Sequence, residues 1–60
     1  MWNAIWVTAE YEQAERVIQA LRKINILTKC RAFLDGEQEF YEILVPSAET
    51  GQALGVLAEF

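Results

Sequence analysis

The chain has no histidine, one cysteine (Cys30) and one proline (Pro46) among its 60 residues. Without histidine the usual general base near neutral pH is missing, so no enzymatic activity is expected. A lone thiol excludes an internal disulfide, and one cysteine without imidazoles cannot build a structural zinc site. Positive charge is also scarce: five Lys and Arg stand against nine Asp and Glu, a formal net charge of −4. That balance argues against nucleic acid, whose phosphates must be neutralised by cations. The cations themselves, Arg16, Arg22, Lys23, Lys29 and Arg31, form no block. No stretch approaches the ~20 apolar residues needed to span a bilayer. Met1-Trp2-Asn3 carries no basic segment of a signal peptide. These absences point to a soluble cytoplasmic domain with Cys30 reduced.

What remains is a short, apolar chain. A hydrophobic content of 53% with modest net charge rules out disorder. Sixty residues make a single domain, 1–60, with no room for a second core. At this size burial and ordering cost nearly cancel, and small scaffolds usually add a disulfide, a metal or a partner chain. With the first two excluded, self-association as a homodimer, or a protein partner, is the expected supplement.

The order of patterns carries the fold. Trp2 to Thr8 is rich in aromatic and β-branched residues and reads as a first strand. Thr8 is placed to cap a helix led by Ala9, Glu10 and Glu12. Ala14, Val17, Ile18, Leu21 and Ile24 then form one helical stripe. Asn25 suits a left-handed cap at its end. Ile26 to Leu34 alternates as a second strand, Asp35-Gly36-Glu37-Gln38 reads as a turn, and Phe40 to Val45 forms a third strand. Pro46 stops that ladder, and Ser47 is placed to cap a second helix from Ala48 onward, with Ala53, Leu54, Val56 and Leu57 as its apolar side. Gly51 and Gly55 weaken this helix; their spacing is read as a close approach to helix one or the sheet.

A strand, helix, strand unit makes a right-handed crossover, so strands one and two run parallel. The hairpin places strand three between them. The expected architecture is α+β: β-α-β-β-α, a three-stranded mixed sheet of order 1-3-2 with two helices on one face, half of a ferredoxin-like sandwich. Its other face is bare.

With a four-residue loop, Phe33 faces Phe40, Arg31 faces Glu42 and Lys29 faces Leu44, all on one side of the sheet. Thr28, Cys30, Ala32, Tyr41, Ile43 and Val45 take the other side, under the helices. The bare face is therefore expected to show Lys29, Arg31, Phe33, Phe40, Glu42 and Leu44, since a one-residue slip would bury two cations. Strand one admits two inner sets: Trp2, Ala4 and Trp6, or Asn3, Ile5 and Val7. Aliphatic side chains pack under helices with no indole N–H to satisfy, which favours Ile5 and Val7 inside. Trp6 then lies outward or at the sheet edge.

The first strand, Ala14-Glu15 in an amphipathic helix, the Asn25-Ile26 step, the hairpin, and Val45-Pro46 before a Ser/Ala/Glu-led helix resemble a small bacterial domain family of unknown function described as prokaryotic signal-transducing proteins. The resemblance covers most of the chain and implies a β-α-β-β-α sheet with no established reaction, ligand or target.

Other chemistry finds weaker footing. Cys30, on the face assigned to the core, reads as a packed, inert thiol. Glu10, Glu12 and Glu15 complement a helix dipole, and Asp35, Glu37 and Glu39 lack the spacing of a calcium loop. No cofactor or metal is implied. The leading expectation is a non-catalytic interaction module that self-associates through its open sheet face or edge, using Trp6, Phe33, Phe40 and Leu44, with Arg31 and Glu42 fixing register. The second is a sensing domain in which Lys29 and Arg31 hold an anionic metabolite.

Overall fold

The computed structural model describes all residues, 1–60. Strand β1 (Trp2–Thr8), helix α1 (Tyr11–Arg22), strands β2 (Lys29–Asp35) and β3 (Gln38–Pro46), a 3₁₀ turn (Ser47–Glu49) and helix α2 (Thr50–Leu57) follow in order. The sheet order is β1-β3-β2, as the crossover and hairpin require. Both neighbouring pairs are antiparallel, so the sheet is antiparallel rather than mixed. β1 and β2 run the same way but are separated by β3.

The core is small. Nine of 60 residues are buried, eight of them hydrophobic: Ala14, Val17 and Leu21 from α1, Ile26 after it, Ile43 and Val45 from β3, and Ala53 and Leu57 from α2. The α1 contribution is the predicted stripe, except that Ile24 lies beyond the helix end and is partly exposed. Both helices pack on β1 and β3 and touch each other. Neither helix packs on β2 to a comparable extent, and six of its seven residues are exposed.

Local signals set the helix ends, with corrections. α1 starts at Tyr11 rather than at Ala9, because the Thr8 hydroxyl accepts the Glu10 N–H (3.1 Å) and shapes a turn before the helix instead of capping it. At the other end Asn25 takes a left-handed conformation (φ 62°). The Ile26 N–H reaches the Leu21 carbonyl (3.1 Å) and the Asn25 N–H the Arg22 carbonyl (2.9 Å), the paired bonds of a Schellman stop. Ile26 and Leu21 are both in the core, closing the accompanying apolar contact. Ile26 thus belongs to the helix stop, and β2 begins only at Lys29.

The hairpin is tighter than a four-residue loop. Asp35 pairs with Gln38, leaving Gly36-Glu37 as the turn, with positive φ (65°) at Gly36. Glycine at the first of two turn residues matches a type II′ turn, whose twist suits the flanking strands. The pairs further along, Phe33 with Phe40, Arg31 with Glu42 and Lys29 with Leu44, stand as expected.

Ser47 does not cap α2. Its N–H and its hydroxyl both donate to the Met1 carbonyl (2.8 and 3.1 Å), tying the first residue to the end of β3. A 3₁₀ turn follows, so α2 begins at Thr50, whose hydroxyl accepts from the Asn3 side chain (3.0 Å). Leu54, expected inside, is half exposed, and Ala53 and Leu57 hold the inner side.

Gly51 and Gly55 make no close approach either: a Cβ at each meets nothing within 4 Å. Gly51→Ala and Gly55→Ala should each raise stability by roughly 0.5–1 kcal/mol, by lowering the unfolded chain's entropy without a clash. Urea unfolding midpoints check this; a fall in either variant would show a contact that the backbone does not reveal.

Candidate functional site

The sheet face opposite the helices is built in rows by the strand register. Phe33 stacks on Phe40, ring centroids 5.7 Å apart and planes 24° from parallel. Next, Arg31 forms an ion pair with Glu42 (2.7 Å), its own side chain 69% exposed and that of Glu42 only 17%. Lys29 lies opposite Leu44, and its ammonium reaches 4.4 Å from the centre of the Trp2 ring. Phe33, Phe40, Glu42, Leu44 and Trp2 are each partly buried by such neighbours while no helix covers them. Every predicted open-face residue from β2 and β3 is therefore on that face.

The prediction for β1 is corrected. Between Ala4 and Trp6 the register slips by one residue at Ile5, a β-bulge. Before it, Trp2 and Ala4 share the face of Pro46 and Leu44. After it, Trp6 pairs with Ile43 and packs against the core under the helices, edge-on to Phe60 (centroids 6.0 Å). Val7, expected inside, turns to the open face and is 52% exposed. Ile5 packs against the core as predicted. Trp2, not Trp6, is the aromatic of the open face. A strand of fixed period cannot place two tryptophans four residues apart on opposite faces. The extra residue does, and no glycine or other local signal marks it. The indole N–H of Trp6 has no partner where it is buried, the very cost that favours aliphatic residues at such a position.

Cys30 is also corrected. It is on the helix side, opposite Ile43, but it is exposed. Ala32 and Leu34 beside it are exposed too. The cause is the position of β2: the helices rest on the other two strands, so alternation alone does not bury an outer strand.

Further polar features are local. The Tyr41 hydroxyl donates to a Glu39 carboxylate oxygen (2.8 Å). That bond, with desolvation and the adjoining negative charge, holds the phenol above its ordinary value of 10.0. Tyr41 also meets Tyr11 edge-on at 5.5 Å. Two shallow depressions, one lined by Gln13, Arg16, Glu59 and Phe60 and the other by Glu10, Tyr11, Glu12 and Arg16, flank α1 and lie away from the open face. Lys29 and Arg31, the candidate anion ligands, are turned to Trp2 and Glu42. No three His, Cys, Asp or Glu side chains are grouped to hold a metal. No helix is long and apolar enough to cross a membrane.

The class defined by this geometry is an α+β half sandwich with one helix-free face carrying aromatic, aliphatic and paired charged residues. Comparison with protein-family models, curated proteins and solved structures gives no match.

Proposed function

We propose that this chain is a small non-catalytic interaction module that self-associates through its open sheet. The single observation that carries the reading is the helix-free face on which the Phe33–Phe40 stack, Leu44 and Trp2 lie together around the Arg31–Glu42 pair. Apolar surface gathered in this way on a small domain marks a site of association. The slight core supports it: nine buried residues leave a domain that gains from further burial. The ion pair sets the register of a partner more than it adds affinity, since an opposite-charge cross-strand pair contributes only about 0.2–1 kcal/mol. The signal-transducing resemblance accords with a module of this kind and names no target.

Phe40→Glu places a charge in the middle of the apolar set. The variant should be monomeric at protein concentrations where the parent is a dimer, a tenfold or greater rise in dissociation constant, with the far-ultraviolet circular dichroism unchanged. Light scattering of both proteins, side by side, decides it. Equal masses for a dimeric parent and its variant would remove the open face from the interface.

A further inference from the structure

The sheet ends in two strands, β1 and β2, and they differ as edges. β1 is interrupted by the bulge at Ile5. Bulges blunt an edge by twisting it and breaking the row of hydrogen-bonding groups. β2 is the opposite case: all seven of its residues pair with β3 in unbroken register, so its outer side presents an even row of main-chain groups. The helices pack on the other two strands, and four consecutive side chains of β2 on its helix and open sides, Lys29 to Ala32, are exposed.

The charges on this edge are arranged about its centre. Lys29 stands at one end, Asp35 at the other, and Ala32 is midway. We propose that β2 is a homodimer edge, pairing antiparallel with β2 of a second copy about a twofold axis through Ala32 and joining the two sheets into one of six strands. This rests on the reading that the chain self-associates, but it sets the seam at the β2 edge, where Phe40 of the central strand takes no part; Phe40→Glu would then weaken only a dimer held by the open face. In this register each Lys29 lies opposite Asp35 of the second copy, and two opposite-charge pairs close the ends once the ammonium swings outward from the Trp2 ring, 4.4 Å away in the single chain. Arg31 lies opposite Phe33 on the open side, its guanidinium held back at Glu42 of its own chain (2.7 Å) and so clear of the seam. Cys30 faces Leu34 on the helix side, and the two Ala32 residues meet with nothing bulky between the backbones.

Symmetry restricts the alternatives. A twofold axis normal to the sheet keeps each face on its own side, so the axis must pass through a residue and not between two. Centring on Arg31 sets two guanidinium groups against each other. Centring on Phe33 leaves Lys29 without a strand residue opposite it. Only the Ala32 centre engages the whole strand. Parallel pairing in register would stack Lys29 on Lys29 and Arg31 on Arg31. The same cations that discourage indiscriminate edge pairing thus admit this one. The two open faces then lie side by side as one longer surface.

The test is a charge exchange. Lys29→Glu alone sets Glu against Asp35, and Asp35→Lys alone sets Lys against Lys29. Each variant by itself should show at least a tenfold weaker dimer by sedimentation. An equimolar mixture should recover the dimer mass as a heterodimer, because both end pairs are then of opposite charge. That recovery also shows that each variant is folded. A second variant, Cys30→Ser with Ala32→Cys, should form an interchain disulfide on mild oxidation, since directly opposed residues lie about 4.5–5.5 Å apart at Cα. Cys30 in the parent should not, because its counterpart lies four residues along, roughly 14 Å away. Single variants that keep the parent's dimer, or a mixture that stays monomeric, would overturn the edge register while leaving a Phe40-sensitive dimer to the open face. A parent that is monomeric at every concentration would overturn both readings together.

Discussion

Leu21→Ala is expected to lower the stability of the fold by about 3 kcal/mol, within the range of roughly 2–5 kcal/mol for emptying a closed leucine site. Leu21 is completely buried and is among the largest side chains in the core. It meets Ile26 across the helix stop, and its carbonyl accepts the Ile26 N–H at 3.1 Å. The loss would therefore be felt at the end of α1 as well as in the core. A domain of this length has only about 3–9 kcal/mol of net stability at roughly 0.05–0.15 kcal/mol per residue. Losing about 3 of these leaves about 0–6 kcal/mol, so the unfolding midpoint should fall by a third or more of its parent value. Leu34→Ala removes the same atoms from a side chain that is 69% exposed, and should change stability by no more than about 0.5 kcal/mol. Urea unfolding of the two variants beside the parent checks the contrast. Similar losses at both positions would mean that Leu34 is enclosed as fully as Leu21, more than pairing with a second β2 would provide.

Trp6→Ala should destabilise by about 3 kcal/mol, the low end of the usual range for a large aromatic because the ring is not fully enclosed. Trp2→Ala should cost far less, since Trp2 lies on the open face with Lys29 at its ring. Trp6→Phe separates two opposed effects. It keeps an aromatic against Phe60 and the core, and it deletes a buried N–H that has no partner. An unpaired buried donor costs about 1–3 kcal/mol, so the phenylalanine variant should lie much closer to the parent than the alanine one. Thermal unfolding of the three variants tests this ordering. If Trp2→Ala were the most damaging, Trp2 rather than Trp6 would be the core tryptophan, and the bulge at Ile5 could not stand.

The contrast between these tryptophans shows where the sequence is legible. Element order, sheet order and the β2–β3 faces follow from alternation, one amphipathic stripe and the Asp35-Gly36 turn, because each is a repeating or strongly local signal. Asn25 is readable for the same reason: its short polar side chain tolerates a left-handed backbone. Two kinds of information are not local. The bulge at Ile5 inserts one residue into a pattern that stays apolar in either phase, so both tryptophans look equivalent. The reach of the helices over the sheet depends on how α1 and α2 pack with each other, and that leaves Cys30 exposed on a face that alternation assigns to the core. Ser47 fails as a cap for a similar reason. Its hydroxyl is drawn to the Met1 carbonyl, distant in sequence and brought alongside by the Trp2–Pro46 pairing. Of the candidate surface residues, Arg31, Phe33, Phe40, Glu42 and Leu44 are legible because the hairpin fixes their register. Trp6 alone moves off that surface, and Trp2 takes its place.

In the proposed reading, a domain with so slight a core completes itself by association through its sheet. Molar mass of the parent chain by light scattering, over a dilution series from hundreds of micromolar to low micromolar, tests it most directly. A dimer that persists into the low micromolar range is the predicted result. A mass of 6.9 kDa, that of one chain, at every concentration would contradict it.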